Sequence, residues 1–227
     1  DMKRILFLLV VVVALSACEN GSGDNEFIIK YFGDVKINKG TSIASTGDGY
    51  VISGLLTDVR RSDGNYIKNS YDRVGLIRTT PEGNLLWKNF YSGKLQGEAS
   101  KVIVEPDGRI TATGYITDTI EMETDLIVFR VGSSGTAETF RIIKKPGNQK
   151  GNDILKTTNG YIVLGTTDVE RSGTTQYNGN TAGKSDILLT FLDNNLDVTE
   201  TTDGLGYVGN DIGAAIKEDP AGGYIVV

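Results

Sequence analysis

Apolar residues in this chain fall into one long run near the start and many short ones after it. Ile5 to Leu15 is an unbroken stretch of eleven apolar residues. A helical bilayer span takes about 20 residues, so the run is too short to cross, and it has the length of a signal-peptide core. Beyond residue 26 the pattern changes. Short stretches rich in Val, Ile, Thr and Tyr alternate with Gly, Asp and Asn, and no helical period is sustained. That punctuation predicts short β-strands joined by tight turns.

The short runs repeat. Gly49-Tyr50-Val51-Ile52-Ser53-Gly54 returns as Gly108-Arg109-Ile110-Thr111-Ala112-Thr113-Gly114 and as Gly160-Tyr161-Ile162-Val163-Leu164-Gly165, and begins again at Gly223-Tyr224-Ile225-Val226-Val227. The first glycines are 59, 52 and 63 residues apart. A second element keeps step: Asp72 to Arg78, Asp125 to Arg130, and Asp186 to Phe191. A period of this size with several strands per unit predicts a β-propeller or a related solenoid. In the second unit the strands are expected at Ala99–Glu105, Arg109–Ile116, Asp125–Val131 and roughly Thr136–Ile143, with turns at Pro106-Asp107-Gly108 and Ser133-Ser134-Gly135. Phe27 to Phe32 reads as the fourth strand of a preceding unit, placed to close a ring and cover two sheet edges.

The start of the chain resembles that of bacterial lipoproteins. Met2-Lys3-Arg4 gives a positive start, and Leu15-Ser16-Ala17-Cys18 is similar to their lipobox. The resemblance implies a signal over residues 1–17, removed before Cys18, which then carries the lipid. Two or three acyl chains make a stable anchor where one is marginal. The competing reading is an ordinary signal peptide with a chance cysteine. Residues 18–26 form a polar tether. The repeats themselves resemble those of exported bacterial β-propeller lipoproteins. The match is carried by Asp219-Pro220-Ala221-Gly222-Gly223-Tyr224-Ile225-Val226-Val227 and Pro81-Glu82-Gly83-Asn84-Leu85-Leu86-Trp87. It implies an all-β propeller of four-stranded blades over residues 27–227, in repeats at about 40–91, 98–143, 150–202 and 212–227, or some three and a half blades. The last repeat stops two strands in, and Asp1 precedes Met2, so a fragment of a longer product is expected. The resemblance also implies a lipid-anchored place in a Gram-negative envelope, at the outer membrane. It implies no particular activity, because propellers host enzymes and binding scaffolds alike.

Composition narrows the chemistry. Formal net charge is −6, and without residues 1–17 there remain 21 basic and 28 acidic residues, a net −7. An acidic chain without a basic cluster argues against a nucleic-acid partner. The sequence has no His and one Cys, which leaves out the usual general base, the commonest transition-metal ligand and intrachain disulfides.

Three motifs lose to plainer readings. Gly204-Leu205-Gly206-Tyr207-Val208-Gly209 matches a dinucleotide fingerprint, but it falls where other units carry Gly93-Lys94-Leu95-Gln96-Gly97 or Gly147-Asn148-Gln149-Lys150-Gly151, a connection between units with no helix to follow. Asp193-Asn194-Asn195-Leu196-Asp197 has the alternating oxygens of a calcium loop, but Val198 and Gly204 stand where that loop needs Gly and Glu, so a turn is expected. Trp87 stands where quinoprotein blades carry Trp, but Thr139 and Thr199 replace it in the other units, so it reads as a packed strand residue.

One constellation stands out. The second strand of each complete unit ends in Thr-Asp, at Asp58, Asp118 and Asp168, and the third begins at Asp72, Asp125 or Asp186. Antiparallel pairing makes each pair bracket the mouth of one loop, 59–71, 119–124 or 169–185, on a common face. These carboxylates either accept backbone N–H groups and pin the loop ends, or help hold a ligand or a cation such as calcium. Asp118-Thr119-Ile120 resembles an envelope O-glycosylation site at Thr119, and Asn20-Gly21-Ser22 matches an N-glycosylation sequon with no expected role in a bacterium. No catalytic set is evident. The leading expectation is a non-catalytic scaffold, with no cofactor, that binds a glycan, peptide or protein. The alternatives are an extracellular carbohydrate- or polymer-acting enzyme using carboxylates such as Asp58 and Asp118, and a structural spacer.

Overall fold

The computed structural model describes residues 29–32, 38–58, 71–118, 120–168, 185–202, 204–206 and 209–227. Among them the chain is all-β, with 14 strands, four antiparallel sheets and no helix. The first sheet holds β1 (Lys39–Ser45), β2 (Tyr50–Asp58), β3 (Tyr71–Thr79) and β4 (Leu85–Phe90). The second holds β5 (Gln96–Val104), β6 (Ile110–Thr117), β7 (Thr124–Val131) and β8 (Ala137–Ile143). The third holds β9 (Gln149–Lys156), β10 (Tyr161–Thr167), β11 (Asp186–Leu192) and β12 (Val198–Thr201). A two-stranded sheet follows, β13 (Ile216–Glu218) with β14 (Tyr224–Val226). Within each sheet the strands lie side by side in chain order. The strands of the second unit fall within three residues of their expected starts and one of their expected ends. Residues 29–32 belong to no strand. Lys30 nevertheless lies against Gly83, in the first sheet's last turn.

The period of two decides what each sheet faces. In β7, Ile127, Phe129 and Val131 pack with Val51, Val74 and Leu76 of the first sheet. Its alternate residues Leu126 and Val128 pack with Tyr161, Val163 and Leu188 of the third. Both faces of this strand are therefore buried, which is why it reads as a nearly unbroken apolar run. Ile162 and Leu164 continue the stack onto Ile216. Polar groups cross the same seams. Trp87 donates from Nε1 to the Ser133 carbonyl (3.2 Å), and the Tyr91 hydroxyl donates to the Gly135 carbonyl (2.9 Å). Trp87 is thus a packed strand residue.

The first strand of each four-stranded sheet carries a bulge at the same place, after Gly40, Ala99 or Gly151. The extra residues are Thr41, Ser100 and Asn152. Asn152 uses its freedom from the ladder to donate from Nδ2 to the Gly213 carbonyl of the next unit (2.8 Å), and the Thr41 hydroxyl makes the equivalent bond to Ala99. A bulge re-aims a side chain in this way at the cost of one ladder pair.

The hairpin turns follow from their residues. Gly83 and Gly135 take φ of +75° and +81° in the last turns of the first two sheets. Leu196 fills that position in the third, at φ +65°. A branched side chain there is strained by about 1–2 kcal/mol, and complete burial of Leu196 in the cluster between the second and third sheets offsets it. The Asp193–Asp197 segment is thus a turn. The Asp193 carboxylate accepts from the N–H groups of Asn195 (2.8 Å) and Asp197 (2.9 Å), which hold it below the usual carboxylate range. Leu205, inside the dinucleotide-like glycine pattern, makes an antiparallel bridge to Ile187 and opens no helix.

Candidate functional site

The loop mouths lie where β2 meets β3, β6 meets β7 and β10 meets β11. Cys18 and Thr119 lie outside the described residues, as does the side chain of Asp58, whose backbone ends β2 opposite Tyr71. At the first mouth, the Thr57 hydroxyl donates to the Asp72 carboxylate directly across the ladder (2.8 Å). At the second, Asp118 Oδ1 accepts from the N–H groups of Ile120 (2.7 Å) and Glu121 (3.3 Å). These bonds hold its carboxyl below the ordinary range. Asp125 is buried and meets Lys144 Nζ at 3.5 Å, an attraction that raises the Lys144 pKa. At the third, both Asp168 oxygens accept from Asn148, one from its N–H and one from its Nδ2 (2.6 Å). Asp186 lies against the backbone of Gly204 and Gly206, so close that a Cβ on either would meet its carboxyl group.

The brackets are not equivalent. Asp72 stands three residues before Gly75, the partner of Gly54, whereas Asp125 and Asp186 stand two residues before Ile127 and Leu188, the partners of Gly114 and Gly165. A one-residue offset moves a side chain to the other face of a sheet. The three strand-three carboxylates therefore do not form one layer. Among the described residues no three acidic, Cys or His side chains come together as a metal site.

Two residues that sequence reasoning passed over join the mouths to the scaffold. Asn148 Oδ1 accepts from the Thr124 N–H (2.9 Å), and Asn210 Oδ1 does the same for Ser185 (3.3 Å). Thr124 opens β7, and Ser185 immediately precedes β11. Each Asn stands three residues before a glycine of the next unit, Gly151 or Gly213. Asn148 thus ties the second mouth to Asp168 of the third. The signal was present as Gly147-Asn148 and Gly209-Asn210, a repeated pair inside the connections.

What the mouths can do follows from this. The assigned bonds of Asp72, Asp118 and Asp168 run to protein groups, and their geometry is that of pinned loop ends. The connections they pin differ, spanning 59–70, 118–123 and 168–185. Variable connections on a fixed ladder provide recognition surface without requiring a reactive group. A search of family models gives no match for the chain, and no curated protein matches it.

Proposed function

We propose that this chain is a lipoprotein anchored through Cys18 in the outer membrane of a Gram-negative envelope, and that its sheets are blades of a β-propeller. In this reading the loop-mouth face binds a glycan, peptide or protein partner, without cofactor and without catalysis. The carrying observation is the contrast at that face: ladder ends pinned by Asp72, Asp118, Asp168, Asn148 and Asn210, and connections of unequal length between them. The propeller is supported by three four-stranded meanders in identical order, stacked face to face. It is also supported by Lys30, which meets Gly83 as Trp87 meets Gly135 one unit on. That is the place an outer strand of a preceding blade would take.

Two experiments test the proposal. Fatty-acid labelling in cells is expected to mark the parent and not Cys18→Ala; label retained by the variant would overturn the anchor. Purified envelope glycans and peptides are then screened against the immobilised full chain. Binding lost when connection 168–185 is replaced by 118–123 supports the face. Turnover of a bound glycan, abolished by Asp118→Asn, would instead establish the carboxylate enzyme.

A further inference from the structure

A cavity of about 390 Å³ opens at the other end of the strands, away from the loop mouths. It lies between β5, β9 and β13, the first strands of three successive units. Its walls are aliphatic: Ile103, Val104, Ile154, Leu155 and Ile216. Its polar lining is Lys101, Lys156 and Lys217 against Glu105 and Asp153.

The two carboxylates are already engaged. Glu105 pairs with Arg130 Nε at 3.1 Å and with Arg109 Nη2 at 3.5 Å. The Asp153 oxygens accept from the N–H groups of Ile154 (2.9 Å) and Ile216 (3.0 Å) and so fasten β9 to β13. Lys156 is engaged too, donating to Asn194 Oδ1 (2.6 Å) above the Tyr161 ring. Lys101 pairs with Asp153 at the long distance of 3.6 Å, and Lys217 is exposed on β13. The cavity lining thus holds three ammonium groups and two carboxylates, in a chain whose net charge is −6. An apolar hollow with a few convergent polar groups is the usual form of a small-ligand site, and 300–1,000 Å³ is its usual size. Liquid water occupies about 30 Å³ per molecule, so the space suits a ligand of roughly ten heavy atoms. Among the lining residues none is aromatic, which disfavours a stacked sugar and favours an aliphatic body.

We propose that this cavity binds an aliphatic carboxylate, with Lys101 and Lys217 taking the anion and Ile103, Leu155 and Ile216 taking the chain. The site is independent of the loop-mouth face. The same chemistry is offered by a free short-chain acid and by the aliphatic C-terminus of a peptide.

The test is titration of the full chain with hexanoate, hexylammonium and hexanol, followed by calorimetry and by the acetylation rate of each lysine. Saturable hexanoate binding is expected, with Lys101 and Lys217 acetylated several-fold more slowly in its presence and Lys94, outside the cavity, unchanged. Lys217→Met is expected to weaken hexanoate about tenfold, the effect of losing one bond to a charged group, and to leave hexanol unaffected. Acetyl-Gly-Leu separates the sources: a peptide acid that binds more tightly than hexanoate assigns the site to a peptide terminus, and one that binds more weakly assigns it to a free acid, while the amide should bind more weakly than the peptide acid. Equal binding of hexylammonium, or hexanoate binding that leaves Lys217 acetylation unchanged, overturns the proposal. The acetylation readout needs no variant, so it decides the matter even if Lys217→Met folds poorly.

Discussion

Gly114→Ala tests how the sheets are built. Gly54, Gly114 and Gly165 end the repeated segment of each unit, and each stands opposite the residue that precedes a bulge. The bulge swings the neighbouring carbonyl toward the glycine. A Cβ on Gly114 would lie 2.0 Å from the Glu98 carbonyl oxygen and 2.8 Å from Ala99 Cα, and the equivalent Cβ on Gly54 would lie 1.9 Å from the Lys39 carbonyl. Real Cβ atoms essentially never come within 3.0 Å, so β5 and β6 must part by about 1 Å. Gly114 has no positive φ, so the cost is contact and not backbone strain. The Glu98 segment is held in place: Lys39 meets Glu98 at 3.0 Å, and the Thr41 hydroxyl reaches the Ala99 carbonyl. Overpacking of this kind costs about 1–3 kcal/mol. At about 2–4 °C per kcal/mol for a domain of this size, the melting temperature should fall by roughly 2–12 °C. The assay is thermal unfolding of the full chain followed by circular dichroism. Gly40→Ala, at the residue that precedes the bulge of the first sheet and faces Gly54, is the control: the nearest atom to a new Cβ there is Ile52 Cγ2 at 3.7 Å. It should stay within about 0.5 kcal/mol of the parent. A Gly114→Ala protein that melts with the parent, or a Gly40→Ala protein that falls as far, refutes the account of the bulge.

Other perturbations separate the remaining parts of the structure. Arg130→Met strips Glu105 of a buried partner and should cost about 3–5 kcal/mol by denaturant unfolding, whereas Arg78→Met, whose partner Asp48 is exposed, should cost much less. Burial pushes the Glu105 carboxyl up, but the hydroxyls of Thr111 and Tyr161 and the charges of Arg130 and Arg109 outweigh it and leave it below its ordinary 4.5. Its contribution is therefore complete above pH 4.5 and lost as pH falls through the lower folded value, so acid unfolding curves of Glu105→Gln should be flatter than the parent's in that window. Asn148→Ala removes the bonds to Thr124 and Asp168, each worth about 1 kcal/mol, and should speed hydrogen exchange at the Thr124 amide while sparing Ser185. The double change Asp118→Asn and Asp125→Asn keeps carbonyl acceptors and removes charge; calcium should raise the melting temperature of neither parent nor variant. A rise of several degrees in the parent, lost in the double variant, would establish a cation site.

Local chemistry determined the strands, because alternation and turn residues act within a few positions. Pro106-Asp107-Gly108 and Ser133-Ser134-Gly135 ended strands where expected, and the repeated glycine-led segments marked the second strand of each unit. The recurring glycines were plain as repeat markers, but what approaches them was not. That depended on the bulges after Gly40, Ala99 and Gly151, which are properties of a pair of strands and leave no mark in either strand alone. The loop-mouth carboxylates were misaligned for the same reason: Asp72 and Asp125 look equivalent by their place in the motif, but pairing sets them one residue apart and on opposite faces. Asn148 and Asn210 were present as a repeated Gly-Asn pair inside connections, where nothing local tells a latch from an ordinary turn. The cavity was not legible at all. Lys101, Asp153 and Lys217 come from strands of three different units, and only the stacking of whole sheets brings their side chains to one surface.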